Sequence, residues 1–330
     1  MGSRNKMLFY GNTQMAQKRY ASNFLSLCKE KSYDYENYQS CISYIISFLP
    51  LLLICVIHLL INVNGYYIGN LFLMISYLFS FFFFILYYSN SYIVFVLFVF
   101  SSFLISLCLH EFAHALVAYK YGDITMVYKG YLYLDILNYF DIFHTLVIPL
   151  ITLFVTGFSL PGNLYWLQLH FIKSTYQLSF IFLSGPLADI LYIVLIVFFY
   201  NLCAYFKNKK NLSVYPQSIL FISLATSASF LVDSFLLNIC PILGFDGWGI
   251  VEPYLPYCIR NLINEEIVYT YLSYICPLLV FIYFNFIETK YLFFTNIVNF
   301  ILERILGIEI SHVTSGVNSF PTLYDYLRKL

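Results

Sequence analysis

The chain has 330 residues, of which 61% are hydrophobic and only 10% charged, and its mean hydropathy is +0.76. Soluble domains carry about 25% charged residues, so this composition excludes an ordinary soluble domain and describes an all-α, polytopic protein of the lipid bilayer. Seventeen basic and seventeen acidic residues cancel, which leaves no electrostatic basis for binding nucleic acid.

Residues 1–42 form a polar N-terminal segment without the early apolar core of a secretory signal. Gly2 suggests myristoylation, but Lys6 stands where Ser or Thr is wanted. Arg4, Lys6, Lys18, Arg19, Lys29 and Lys31 outnumber Glu30, Asp34 and Glu36, as expected of a basic tail or a targeting segment. Apolar runs of about 20 residues, enough to cross a bilayer, follow near 43–63, 66–88, 92–118, 177–200, 218–240 and 268–286. The first two, within 43–91, are read as accessory spans, and 92–252 as the core. Residues 253–330 supply one further span and a mixed tail, in which 291–302 suits an interfacial helix.

A seventh apolar run, 145–157, is too short to span and contains Pro149. It reads as a re-entrant segment, and a small β element is possible after the 92–118 helix. If 145–157 does not cross, 13 basic residues fall on one side of the membrane and 4 on the other. If it crosses, the split is 8 to 9, so the positive-inside tendency favours six spans plus a re-entrant piece. The eight Cys form no CxxC pair and suit small buried thiols rather than a disulfide frame.

The chemistry is concentrated at residues 110–114. His110-Glu111-Phe112-Ala113-His114 is an HExxH motif, and no Asp, Glu, Lys or Arg occurs between Glu36 and Glu111. Two His four apart on a helix lie about 40° apart and one turn along, so both imidazoles can reach one zinc ion. Glu111 sits beside that face, where a carboxylate can take a proton from a metal-activated water. From this composition roughly 0.003 chance HExxH matches are expected, so accident is a poor account of it. An ionisable cluster in a membrane span is a functional site by default.

Catalytic zinc takes three protein ligands. Asp246 is the best third candidate, because Pro241, Gly244 and Gly247 break the helix around it and let it bend toward the metal. Asp233, inside the 218–240 run, is its rival. His110 and His114 close one span and Asp246 follows the end of another, so the two ends must share a membrane face. That again requires 145–157 not to cross. His144 and His170 suit satisfied interfacial histidines, and His58 and His312 have no identifiable role.

The HExxH, Ser184-Gly185-Pro186-Leu187-Ala188 in the next full span, and Asn238…Pro241…Phe245-Asp246-Gly247 together resemble the site-2 protease family of intramembrane zinc proteases. The resemblance covers roughly residues 92–252. It implies that His110, His114 and Asp246 bind zinc, that Glu111 is the general base, and that Asn238 helps place the substrate or an oxyanion. Three departures stand out. Asp189 occupies a position where the family often has Asn, and Phe245 replaces the usual Leu. The 201–217 loop is too short for the PDZ-like domain that some members carry.

The expected protein is therefore an intramembrane zinc endopeptidase of a multi-pass membrane protein, acting on a transmembrane protein substrate. Trimming of small peptides, or a catalytically silent scaffold or transporter of the same fold, are the alternatives. The charge count places the zinc site away from the cytoplasm, whereas the resemblance places it near the cytoplasm. Substrate, organelle and oligomeric state have no signature in the sequence.

Overall fold

The computed structural model describes residues 69–88, 92–134, 172, 174–209, 219–263, 266–286 and 288–319, with a few positions between 50 and 56. The described residues are mostly helical and include no strand. Three helices are long and apolar enough to cross a membrane: 92–120, 175–205 and 219–238. Shorter apolar stretches, 72–86 and 271–280, lie where two more spans are expected. The expected span at 43–63 (but for those few positions), the 145–157 run, and most of the region proposed for a β element lie outside the described residues.

In chain order the longer helices are α1 (Asn70–Tyr88) and α2 (Tyr92–Lys120). The four-residue α3 (Thr125–Tyr128) and a 3-10 turn (Tyr131–Tyr133) follow, and then α4 (Thr175–Lys209) and α5 (Ile219–Asn238). Beyond these come α6 (Asp246–Val251), α7 (Tyr257–Ile263), α8 (Glu266–Phe286), α9 (Glu288–Phe300) and α10 (Ile310–Val317).

α2, α4 and α5 pack on one another and form the centre. Ser102 meets Tyr192, Ser106 meets Asp189 and His114 meets Ile181, so α2 and α4 run antiparallel. Tyr200 packs on Phe221 near the start of α5, so α5 runs antiparallel to α4 and parallel to α2. Lipid is as apolar as leucine, so such helices associate through close packing and interhelical hydrogen bonds rather than through the hydrophobic effect. α5 fits this rule: its buried Ser223, Ala225, Thr226, Ser227, Ala228 and Ser229 let neighbours approach closely. α1 lies against this centre through aromatic rings, with Phe79 stacked on Phe98 at 4.6 Å and Phe83 against Phe199 at 5.7 Å.

α10 closes the opposite end of the bundle from the HExxH. Gly316 presses onto Thr226, and His312 bonds the Tyr200 hydroxyl at 2.9 Å while stacking on Phe221. At the other end α2 stops at Gly122, whose φ of 110° suits a left-handed C-cap. The Gly122 and Asp123 amides donate back to the Tyr119 and Ala118 carbonyls. The chain then folds over the last turns of α2, where Met126 and Leu132 pack with Ala115, Ala118 and Ile181. Tyr121, just past α2, contacts Phe180 in the second turn of α4. α2 therefore ends and α4 begins at the same end of the bundle.

Candidate metal centre

At 1.5 Å per residue His110 lies about 27 Å along α2 from Tyr92, close to the ~30 Å thickness of a bilayer core. Its helix delivers His110 and His114 to one face with ring centroids 4.7 Å apart, and both are buried. Asp246 reaches them from the start of α6. α5 ends at Asn238, and Pro241 and Gly244 (φ 94°) then carry the chain round a tight loop. Gly247 allows this: a Cβ there would lie 2.2 Å from the Ile239 carbonyl oxygen. The loop returns Asp246 to a point between the two histidines.

The three donor atoms form a compact triangle. His110 Nε2 and His114 Nε2 lie 3.1 Å apart, and Asp246 Oδ2 lies 2.9 Å from the first and 3.2 Å from the second. Ligands of tetrahedral zinc at about 2.0–2.2 Å are about 3.3 Å from each other, so the triangle fits that ion. Its chemistry fits as well. His114 Nδ1 faces the Ile181 carbonyl at 2.7 Å, and His110 Nδ1 faces Asp189 Oδ2 at 2.7 Å. Both partners only accept, so each Nδ1 carries the proton and each neutral ring turns a bare Nε2 lone pair inward. Two lone pairs and a carboxylate converging in a buried space repel one another unless a cation joins them.

A Cβ on Gly185 of α4 would lie 2.3 Å from His114 Nε2 and 2.6 Å from His110 Nε2. The glycine thus keeps clear the cradle between the two donors. Beside it is a cavity of about 40 Å³ whose lining includes Ser106, His110, Glu111, Asp189, Asn238 and Asp246. That is room for a few water-sized particles. Glu111 is buried and sits on this cavity wall, next to the donors and not among them.

Asn238 is bound tightly to the third donor. Its Nδ2 donates to Asp246 Oδ2 at 2.7 Å, and its Oδ1 accepts the Asp246 backbone N–H at 3.1 Å. These two bonds fix the orientation of the carboxylate, which must be ionised to serve as a metal ligand. Asp233, the rival third ligand, is buried in α5 and is not part of the donor group. His312 stands at the far end of the bundle, and His58, His144 and His170 lie outside the described residues.

Several contributors have little sequence signature. The Ile181 carbonyl is backbone, one residue before Phe182, whose carbonyl loses its helical donor to Pro186. Ser106 lies one helical turn before His110, a spacing that could have marked it. Tyr131, in the 3-10 turn, has its phenol raised above the ordinary range by burial and, secondarily, by nearby Glu111. Purified protein is expected to carry about one zinc, and His114→Ala or Asp246→Ala to lose it. Metal analysis by mass spectrometry checks this; undiminished zinc in both variants would place the ion elsewhere.

Comparison with known proteins agrees with this chemistry. The protein named "Putative zinc metalloprotease Rip2" from Mycolicibacterium smegmatis is 34% identical over 152 residues, 46% of this chain and 55% of that protein. Its namesake from Mycobacterium tuberculosis is 30% identical over the same shares. "Putative zinc metalloprotease YwhC" from Bacillus subtilis is 25% identical over 173 residues, 52% of this chain and 75% of that protein. Over about half its length the chain is therefore similar to proteins that bear the name zinc metalloprotease. It spans about half the length of the Rip2 relatives. No family model matches, and no solved structure matches. Zinc is the cofactor to which these donors and these relatives point.

Proposed function

We propose that this protein is an intramembrane zinc endopeptidase that hydrolyses a peptide bond in or near a transmembrane segment of another membrane protein. The observation that carries this reading is a three-donor set, its histidines buried and its aspartate half-buried, enclosed by helices apolar enough to span a bilayer. The likeness to zinc metalloproteases supports it. We infer six crossings with a re-entrant 145–157 segment. The shared end at which α2 stops and α4 starts supports that topology.

His110, His114 and Asp246 would hold the zinc, which would supply a Lewis acid for the scissile carbonyl and for water. Glu111 takes the proton of the attacking water and returns it to the leaving amine nitrogen. Asn238 orients Asp246, and its second amide N–H, which meets His110 Nε2 at 3.3 Å, would be released to a substrate oxygen once that nitrogen binds the metal. The carbonyls of an intact helix are engaged in its own hydrogen bonds. The substrate must therefore be presented locally unwound.

The test is cleavage in lipid nanodiscs of peptides bearing one transmembrane segment, with products mapped by mass spectrometry. Cuts within or beside the apolar segment, abolished by a zinc chelator, are expected. Cuts confined to short soluble peptides would replace this reading with peptide trimming, and no cuts with bound zinc would support a silent scaffold.

A further inference from the structure

Asp189 is a buried acid in a membrane-crossing helix, a costly placement that nothing in the cleavage chemistry requires. One carboxylate oxygen lies 2.7 Å from His110 Nδ1, and the other accepts the Ser106 hydroxyl at 3.0 Å. Ser106 and His110 are one turn apart on α2, so a single carboxylate of α4 bridges two consecutive turns of the opposing helix. One turn further along, Ser102 meets the Tyr192 hydroxyl at 3.2 Å and continues the polar seam. Both oxygens of Asp189 are thus engaged by α2.

We propose that Asp189 is a positioning residue of the zinc centre. It holds His110 in the tautomer whose Nε2 lone pair faces the metal, and it strengthens that imidazole as a ligand by adding negative charge behind it. This rests on the reading that His110, His114 and Asp246 bind zinc. The two histidines are then served differently: His114 leans on a neutral backbone carbonyl, His110 on a carboxylate. Carboxylate–histidine–metal relays raise ligand basicity, and losing the outer partner typically costs about 10–100-fold in metal affinity. An amide at 189 could still accept the Nδ1–H but would bring no charge. Its NH2 would also face Ser106, which then has to accept instead of donate.

The experiment measures zinc affinity by competition with a chromogenic chelator, using the full chain in nanodiscs. The variants are Asp189→Asn, Asp189→Leu and Ser106→Ala, alongside the absorption spectrum of cobalt-loaded protein. Asp189→Leu is expected to weaken zinc about 10–100-fold. Asp189→Asn should fall between it and the unmodified protein, and Ser106→Ala should weaken zinc a few-fold. The cobalt bands should shift for Asn and Leu, because the charge behind one ligand is gone. A merely structural Asp189 would leave affinity and spectrum unchanged in whichever variants fold, and that result overturns the inference. Absence of zinc from the unmodified protein would instead overturn the metal reading itself.

Discussion

Glu111→Gln is expected to abolish measurable cleavage while zinc stays bound at about one per chain. The amide keeps the size and shape of the carboxylate, and Glu111 is outside the donor triangle, so the metal should not notice the change. What is lost is a base: an amide cannot take a proton from water, and general-base assistance is worth about 10²–10⁴-fold in rate. Removing a buried carboxylate also relieves a desolvation cost, so the variant should melt no lower than the parent. Loss of activity without loss of zinc or stability separates this role from that of His114 and Asp246, whose replacement should remove metal and activity together. A fully active Glu111→Gln protein would overturn the mechanism.

How much of this centre could be read in advance depended on the kind of contact involved. His110 and His114 were legible because one helix brings them together, and helical spacing alone dictates it. Asp246 was legible through Pro241, Gly244 and Gly247, whose backbone limits mark a sharp return, and the loop indeed brings it to 2.9 Å from His110. Asn238 was expected to serve substrate, and its amide is found bracing Asp246. Asp189 carried no such mark, since its meeting with His110 depends on how α2 and α4 are rotated about their own axes. Hydropathy does not specify that rotation in helices apolar on every side. The Ile181 carbonyl was hidden for another reason: every residue has one, and only the tertiary contact selects it. The requirement that the HExxH and Asp246 share one end of the bundle was a statement about topology, and α2 and α5 do run parallel to that end.

Gly185→Ala is expected to cost most of the zinc affinity without touching a single ligand. In an isolated helix the change would be favourable, since Ala exceeds Gly in helix propensity by about 1 kcal/mol. Here the new methyl carbon would lie 2.3 Å from His114 Nε2 and 2.6 and 2.7 Å from two atoms of the His110 ring. Carbon and nitrogen do not approach so closely without a bond, so α4 or the rings must move. The rings have little freedom, because each is tied through Nδ1 at 2.7 Å, one to Ile181 and the other to Asp189. Moving α4 is no easier, because Gly249 of α6 abuts Phe182 less than one turn away. Overpacking of this kind costs about 1–3 kcal/mol, which corresponds to about one to two orders of magnitude in affinity if the centre bears it. Zinc competition and thermal melting of the variant, beside Leu191→Ala on the exposed face of the same helix, check the expectation. Leu191→Ala should leave zinc unchanged. A Gly185→Ala protein with unaltered zinc affinity would show that the rings can yield, and that the gap beside this glycine is not where the ion sits.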